Sequence, residues 1–350
     1  MGYTVVQRVI TSNDWAYSYL DRFARKAKLL YNAALFRIRN IFTGYDKDHR
    51  TENETEVFAE VQLLQGSYPG KTVRKVITYY QLEKLLRVTG NPDFFSGLPM
   101  QTAQAVVKSA VSDFRNWLSA LKEYQKHPEK FLGKPKMPKY KRTEVCTFGF
   151  SNQDVVLYPQ DTGVQVKLPM TRQRLFFSNL SADACLREVK VKPYYGRYLL
   201  LLTFQGTHPA PTGRMPHSCA IDFGTDNFAA IVCGDQSSVI YKGGAVLSSC
   251  QWFHKQRARL VGILTKGSAY KNACSRQLSS LSYHHANFIK DQCHKISRSI
   301  INYCLEHQAG TLVLGVNKLW KQGSRIGNQN NQSFVSMPVT LLRELITYKA

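Results

Sequence analysis

The sequence predicts an α+β protein in two parts, and two observations support this fold class. Short apolar runs separated by turn residues fill residues 146–206, which is typical of an antiparallel sheet or barrel. Beyond them, the order is strand, tight turn, strand, strand, long helix and strand, which favours an α/β arrangement. The expected divisions are a β-barrel body at 1–206 with a helical insert at about 11–127, a proline-rich linker at 207–217 and an α/β part at 218–350.

The net charge of +23, from 47 Lys and Arg against 24 Asp and Glu, predicts a polyanionic partner, and nucleic acid is the first candidate. A membrane is disfavoured, because the sequence has neither a signal peptide nor an apolar run of about 18 residues. The eight cysteines form no CxxC pair. We expect reduced thiols in a cytosolic protein, with neither disulfides nor a zinc site.

The helical insert is predicted from apolar residues that recur at helical spacing. Its expected elements are a helix from a cap at Asn13 or Asp14 to Phe42, a loop or short insert from Thr43 to Gly70, and helices at Lys71–Val88 and Met100–Gln125. A strand at Met1–Ile10 precedes them all. Basic residues stand between the apolar positions of the first helix. This face is expected to contact phosphates or, alternatively, to be merely solvated. The candidates are Arg22, Arg25, Lys26 and Arg37.

A proline-rich basic segment follows at residues 126–142. Its prolines disfavour regular structure. Lysines alternate there with an aromatic residue, a pattern that suits a nucleic-acid backbone with an occasional stacked base. The alternative is a solvated linker. The candidate binding residues are Lys134, Lys136, Lys139, Tyr140, Lys141 and Arg142.

Asp222 is the candidate catalytic and metal-binding residue. Two apolar runs, Ala220–Phe223 and Phe228–Val232, flank the turn Gly224–Asn227, which predicts a buried hairpin. A carboxylate inside the first run is costly to bury unless it is paired. A divalent cation such as Mg²⁺ is a natural partner, because it prefers carboxylate oxygens. The alternative is a strand-end aspartate that accepts hydrogen bonds from the turn amides.

The remaining chain predicts two more strands and three helices. The strands are one near Val239–Tyr241 and a fully buried one at Thr311–Gly315. The helices are a basic helix at Gln251–Leu264, a long helix from about Tyr270 to His307 and a last helix from Pro338, which a loop at Gly327–Asn331 precedes. Basic groups on the first two of these helices are expected to meet phosphates, although a helical histidine is more often structural. The candidates here are Lys255, Arg257, His294, Lys295 and Arg298.

This element order, with an acid on its first strand, is that of an RNase H-like nuclease core. Several segments resemble the TnpB (OrfB) proteins of insertion-sequence transposons, which are RuvC-type RNA-guided nucleases related to type V CRISPR effectors. Ala220–Asn227 resembles their first RuvC motif. The other resembling segments are Leu29–Leu35 in the N-terminal helix, Gly133–Lys141 before the wedge barrel, His294–Arg298 in the long helix, and Leu312–Gln322 with Asn328–Phe334, which adds Lys318, Trp320 and Lys321 to the binding candidates.

The resemblance implies a wedge-like β-barrel with a recognition insert, followed by a RuvC core. It also implies a guide RNA and a double-stranded DNA target as partners, and cleavage with two Mg²⁺ ions. We expect the protein in the prokaryotic cytoplasm with the nucleoid, away from membranes, either as a monomer with RNA or as a dimer.

The sequence differs from the family pattern in the catalytic acids of the RuvC core. Only Asp222 is assignable, since the strand before Gly315 lacks a carboxylate and resembles a subgroup with glycine at that position. In that subgroup the second acid follows a segment like Tyr348–Ala350, where this chain stops, and the third acid and zinc ribbon come later. We therefore expect an incomplete RuvC core that does not cleave DNA efficiently. The open alternatives are a truncated nuclease, a nuclease-dead RNA-guided repressor and an inactive decayed transposase fragment. Strand transfer is least favoured.

Overall fold

The structure is a computed structural model. It describes residues 2–70, 72–178, 180, 185–206, 215–266, 275–315 and 327–350, without the side chains of 328 and 329. The chain divides into two compact units, Met1–His208 and Pro209–Ala350. Each unit has a hydrophobic core of its own. None of the described helices is long and apolar enough to cross a membrane.

The first unit combines four α-helices with seven strands among its described residues. In chain order they are β1 (Gly2–Ile10), α1 (Ala16–Gly44), α2 (Glu52–Ser67), α3 (Tyr79–Val88), α4 (Met100–Lys126), β2 (Phe148–Ser151), β3 (Val156–Gln160), β4 (Gly163–Lys167), β5 (Arg174–Phe177), β6 (Cys185–Tyr194) and β7 (Arg197–Gly206). A short 3₁₀ turn, Pro128–Lys130, follows α4.

The strands of the first unit form two sheets. The order is β1-β7-β6-β2 in one and β3-β4-β5 in the other, and every pairing is antiparallel. The N-terminal strand pairs with the last strand of this unit. This pairing agrees with the predicted β body that begins at residue 1 and ends at 206. The predicted closed barrel is not found, because the described strands of the smaller sheet pair only with one another.

Of the two alternatives for residues 43–70, the loop is wrong, because helix α2 occupies most of the segment. Thr51 and Glu54 form a capping box that satisfies the free amides at the start of this helix. Val57, Val61 and Leu64 follow at helical spacing and are buried. The segment therefore carries both a start signal and a narrow apolar stripe, despite its polar composition.

The second unit is an α/β arrangement. Its described elements are β8 (His217–Asp222), β9 (Asn227–Cys233), β10 (Ser238–Lys242), α5 (Gly244–Thr265), α6 (Arg276–Glu306), β11 (Ala309–Leu314), α7 (Asn328–Ser336) and α8 (Val339–Lys349). The strand order is β10-β9-β8-β11, with β11 parallel to β8 and the other pairs antiparallel. Ile221 and Ile231 of the sheet share a core with Ile300 of α6 and Leu342 of α8.

Three expectations for this unit are corrected. The predicted loop at 327–331 begins helix α7 instead. The strand β11 is not fully buried, since it is an edge strand in which Val313 is 56% exposed. Finally, Cys219 and Cys233 form a disulfide rather than remaining reduced, because the hairpin register places them directly opposite each other. The free cysteines among the described residues are Cys146, Cys185, Cys250, Cys293 and Cys304.

Candidate nucleic-acid interface and the Asp222 site

Asp222 lies at the carboxyl end of β8 and is exposed to solvent. The strand alternates, so Cys219, Ile221 and Phe223 enter the core while Ala220 and Asp222 face outward. The premise that Asp222 is buried is therefore wrong, since it rested on an apolar run rather than on the alternation within it. The predicted hairpin itself is confirmed by the pairing of β8 with β9.

Gly315 is the immediate neighbour of Asp222 across two parallel strands. The amide of Gly315 donates a hydrogen bond of 2.9 Å to the carbonyl of Ile221. A β-carbon added at Gly315 would lie 3.4 Å from Asp222 Oδ1. Residue 315 is therefore the place where a second carboxylate would stand beside the first, and it carries none.

The residues around Asp222 do not fit a resident pair of Mg²⁺ ions. Two such ions need several carboxylates to hold them. Within the described ranges, no group of three or more His, Cys, Asp or Glu side chains could hold a metal ion. Asp222 offers one carboxylate, and Gly315 beside it offers no side chain.

Asp235, the acid in the turn after β9, has a local structural partner. Its carboxylate accepts hydrogen bonds from the amide and hydroxyl of Ser237 and lies 2.7 Å from Nδ1 of His307. The bonds from Ser237, reinforced by His307, hold the pKa of Asp235 well below its usual range. This contact joins the turn after β9 to the end of α6, so Asp235 has a structural role.

Residues 133–142 of the basic segment form neither helix nor strand, and side chains of two helices hold their backbone. Trp117 Nε1 of α4 donates to the carbonyl of Pro135 at 3.1 Å. Arg39 of α1 donates to the carbonyl of Pro138 at 3.3 Å. Prolines lack a backbone N–H, so the segment cannot form a regular pattern of backbone hydrogen bonds. Its carbonyls therefore accept hydrogen bonds from side chains of other elements. The sequence analysis does not predict the hydrogen bonds from Trp117 and Arg39. The prolines do indicate that the carbonyls of this segment need donors from other elements.

Further along the segment, Asn32 of α1 binds the backbone of Lys141 on both sides. Its side-chain amide donates to the Lys141 carbonyl at 3.0 Å and accepts from the Lys141 amide at 2.8 Å. The Lys141 ammonium lies 4.5 Å from the ring centre of Tyr31. The helix therefore holds the backbone in place. The predicted binding side chains along it, all exposed, are Lys134, Lys136, Lys139, Tyr140, Lys141 and Arg142.

Tyr140 is the aromatic residue of this segment, and the residue is 39% exposed. The Arg39 guanidinium lies 5.0 Å from the ring centre. A cation over one face orients the ring and leaves the rest of it accessible. The arrangement suits a ring on which a base can stack, beside cations that can meet phosphates.

The four basic candidates on α1 differ in their availability. Arg22 is exposed, with its guanidinium 5.3 Å from the ring centre of the neighbouring Phe23. Arg25 is also exposed and pairs with Asp21 and Glu144, at 2.8 Å each. Lys26 is half-buried and donates to the carbonyl of Ser96.

Arg37 is buried and paired, in contrast to the expected outward basic face. Its Nε donates to Glu60 of α2 at 2.7 Å, and its Nη1 donates to the carbonyl of Ala33. Truncating one partner of such a buried pair is costly, because the other charge is then left uncompensated. Arg37 thus joins α1 to α2, a helix that was not foreseen.

The candidates in the second unit lie on two helices. Lys255 and Arg257 are exposed on α5, and Arg298 is exposed on α6. Lys295 is exposed and pairs with Asp291 at 2.7 Å. The remaining predicted residues of this unit, Lys318, Trp320 and Lys321, lie outside the described residues.

His294 is half-buried and helps to hold the last helix. Its backbone carbonyl accepts a hydrogen bond of 2.6 Å from the ammonium of Lys349, which also donates to Ser297 Oγ at 2.7 Å. Burial and the nearby Lys349 lower the pKa of His294. The neutral ring is therefore favoured, and a phosphate contact through an imidazolium is disfavoured.

A cleft of about 1140 Å³ lies next to the basic segment in the first unit. Its walls come from α1, α4, β2 and β6, and they include Tyr31, Lys108, Lys141, Phe150 and Lys190. Three lysines and Glu188 thus line the cleft together with aromatic side chains. The cleft could not be predicted from the sequence, because its lysines lie far apart along the chain.

Comparison with known proteins finds one matching family and several proteins of similar structure. Residues 205–321 match the family described as OrfB_IS605, probable transposase. The chain is similar in structure to a protein solved in a Cas12f1-sgRNA-target DNA complex, with a TM-score of 0.56, 12% identity, and coverage of 95% of this chain and 70% of that one. A chain from a CRISPR-Cas12f ternary complex aligns with a TM-score of 0.30, 11% identity, and coverage of 95% and 69%.

A comparison with curated proteins finds no match. The structural likeness to the Cas12f1 protein is at low sequence identity, so it shows a shared mixed α+β fold. The family match lies mainly in the second unit, which contains the Asp222 hairpin. The chain is therefore TnpB-like over residues 205–321, and it shares its mixed α+β fold with the Cas12f1 protein.

Proposed function

We propose that this chain is an RNA-guided DNA-binding protein that holds a guide RNA and a double-stranded DNA target but does not cut DNA efficiently by itself. The similar Cas12f1 protein was solved with an sgRNA and target DNA, and the likeness spans 95% of this chain. In such systems base pairing selects the sequence while the protein mainly contacts the backbone. A net charge of +23 suits that task.

The basic segment at 133–142 supports the binding half of the proposal. Asn32, Arg39 and Trp117 hold its backbone against α1 and α4. A held segment loses less conformational freedom when it binds than a free linker would. Its exposed cations and the Tyr140 ring combine phosphate contact with base stacking.

The absence of efficient cleavage rests on one observation, the juxtaposition of Asp222 and Gly315. A β-carbon at residue 315 would lie 3.4 Å from the Asp222 carboxylate, yet residue 315 is a glycine. One carboxylate does not hold two metal ions, and two ions are what this class of phosphodiester cleavage requires.

The binding half is tested by purifying the chain from cells that carry its native locus and sequencing the RNA that accompanies it. One discrete RNA species with a variable 3′ segment is the expected result. A mixture of ribosomal and transfer RNA would instead indicate unspecific charge, and would favour the inactive-fragment alternative.

The cleavage half is tested with the RNA-loaded chain, a matching DNA duplex and Mg²⁺. We expect a guide-dependent band shift with intact DNA, and the same shift from Asp222→Asn. Guide-directed double-strand cuts by the wild-type chain that disappear in Asp222→Asn would overturn this half of the proposal. They would establish the TnpB-type nuclease, which the presence of Asp222 at a strand end favours as the second candidate.

A further inference from the structure

Tyr80 of α3 is more exposed than any other described Phe, Trp or Tyr, and it is not among the binding candidates predicted from the sequence. The residue is 72% exposed. Tyr79 and Tyr80 begin the helix, and a capping box between Thr78 and Gln81 fixes this start. The other side of the helix is buried through Leu82, Leu85 and Leu86. The Tyr80 ring therefore projects into solvent from a fixed backbone.

Neighbouring side chains orient this ring. The centres of the Tyr79 and Tyr80 rings lie 5.1 Å apart in a T-shaped arrangement. The Lys108 ammonium of α4 lies 4.9 Å from the centre of the Tyr79 ring. A ring that is already ordered loses little conformational freedom when a flat partner stacks on it.

Two cations flank the tyrosines without an acidic partner. Lys84 lies four residues after Tyr80, on the same face of α3. The ammonium groups of Lys84 and Lys108 lie near aromatic rings, and neither forms an ion pair with a described acid. The acid next to Lys84, Glu83, pairs with Arg87 at 2.7 Å. The positive charge of this surface is therefore left for an external anion.

The surface continues through Lys108 into the cleft of about 1140 Å³, which this lysine lines. The charged lining side chains are three lysines and Glu188, and Glu188 lies 3.6 Å from the ammonium of Lys190. The lining is thus net positive. The volume exceeds the range of about 300–1,000 Å³ common for small-ligand sites. Size and charge together suit a segment of a polyanion rather than a small molecule.

Uncharged polar groups beside Lys108 favour RNA over DNA as that polyanion. Ser109 is exposed and lines the cleft next to Lys108. Gln104 also lines the cleft, and its side-chain N–H donates to Glu83 at 3.1 Å, so its carbonyl oxygen remains an acceptor. A ribose 2′-hydroxyl forms hydrogen bonds with such groups, and DNA lacks this hydroxyl.

We propose that Tyr79, Tyr80, Lys84 and Lys108, with the adjoining cleft, form a binding surface for a single-stranded segment of RNA. One base stacks on the Tyr80 ring, Lys84 and Lys108 meet the neighbouring phosphates, and Ser109 contacts a 2′-hydroxyl. A single strand is required, because the bases of a duplex are already stacked on one another. The inference rests on the proposed function, which supplies the RNA.

The test measures the binding of the full chain, freed of RNA, to a fluorescent 12-nucleotide RNA without self-pairing, by anisotropy. Tyr80→Ala is expected to weaken binding about tenfold, because the stacking of one base is lost. Tyr80→Phe keeps the ring and should bind like the wild type. Lys108→Gln should make the slope of log K against log salt concentration shallower by about 0.7.

An exposed tyrosine elsewhere in the unit provides the control. Tyr3 of β1 is 56% exposed and is not part of the proposed surface, so Tyr3→Ala should leave the affinity unchanged. Because Tyr80 is mostly exposed, Tyr80→Ala should keep the melting temperature of the wild type. If this variant is destabilised, the slope of Lys108→Gln decides in its place. An unchanged affinity in Tyr80→Ala, or an equal loss in Tyr80→Ala and Tyr3→Ala, overturns the inference.

The kind of strand is tested with DNA of the same sequence and with the RNA annealed to its complement. The wild-type chain should bind the single-stranded RNA about threefold or more tightly than the DNA. Tyr80→Ala should change the binding of the duplex little. An equal loss with the duplex would overturn the stacking contact, and an equal loss with the DNA would overturn the assignment to RNA.

The same titrations separate this inference from the proposed function. Strong, salt-dependent RNA binding that is equal in the wild type, Tyr80→Ala and Lys108→Gln leaves the proposed function standing and rejects this surface. The absence of RNA binding by the wild type at low salt rejects both.

Discussion

Gly315 and Asp222 stand side by side at the ends of two parallel strands, so close that a β-carbon on Gly315 would lie 3.4 Å from the Asp222 carboxylate. The same β-carbon would lie 3.3 Å from the carbonyl of Ile221. The space is tight, but an ordinary side chain can fit after a small shift. The position is therefore one where a single substitution creates a pair of carboxylates.

Gly315→Asp is expected to create a divalent-cation site. Without metal, the two like charges on neighbouring strands should destabilise the fold by about 0.2–1 kcal/mol. With millimolar Mn²⁺ or Mg²⁺, the melting temperature should rise above that of the metal-free variant, because the ion binds only the folded pair. Differential scanning fluorimetry with and without metal measures both effects.

Two further variants control this experiment. Gly315→Ala has the steric change without the charge and should show no response to metal. The double variant Asp222→Asn with Gly315→Asp has one carboxylate and should lose most of the response. An equal metal response in all three variants would show that the ion binds elsewhere.

The basic segment should dominate the salt dependence of RNA binding. Replacing Lys134 and Lys136 by glutamine removes two exposed cations. The slope of log K against log salt concentration should become shallower by about 1.4, or about 0.7 for each lost contact with single-stranded RNA. Fluorescence anisotropy at several salt concentrations gives the slope.

The matched control replaces two ion-paired lysines of the same unit that lie outside residues 133–142. Lys75 pairs with Asp46, and Lys130 pairs with Glu123 at 2.7 Å. Glutamine at both positions changes the net charge by the same amount but should alter the slope much less. Equal slopes for the two double variants would contradict the assignment of the segment as the binding surface.

Glu54 should make the first unit sensitive to acid. It is 3% exposed and accepts hydrogen bonds from Lys47, Thr43 and the amide of Thr51. The hydrogen bond from Lys47 is the largest of the effects that lower the Glu54 pKa from 4.5 to about 2. Because the folded-state pKa is depressed, the stabilisation is present above about pH 4.5 and is lost as pH falls toward about 2.

Glu54→Gln is therefore expected to lower the free energy of unfolding by about 1–2 kcal/mol at pH 7. The difference from the wild type should shrink as the solution is acidified through that range. Glu56→Gln, an exposed change on the same helix, should have little effect at any pH. Urea denaturation followed by circular dichroism measures all three proteins, and a pH-independent difference would exclude the linkage.

The elements that sequence reasoning predicted correctly are those with a strong local period. The apolar stripes of α1 and α4 and the alternation of β7 follow spacings of 3.6 and 2 residues, which need no knowledge of the rest of the chain. Helix α2 was also predictable from the sequence, since Thr51 and Glu54 form the Thr-x-x-Glu capping signature. The polar composition of the segment obscures that signature.

The sequence by itself determined the basic charge, the α+β class and the hairpin that carries Asp222, because composition and local periodicity suffice for these. Only the tertiary structure decided which charges are available. Arg37 is paired with Glu60, which lies 23 residues away in the sequence. The backbone of the basic segment is hydrogen-bonded at Lys141 by Asn32, which lies 109 residues away. The nearness of Gly315 to Asp222 likewise depends on strand register. Such contacts join distant parts of the chain, so no local pattern encodes them.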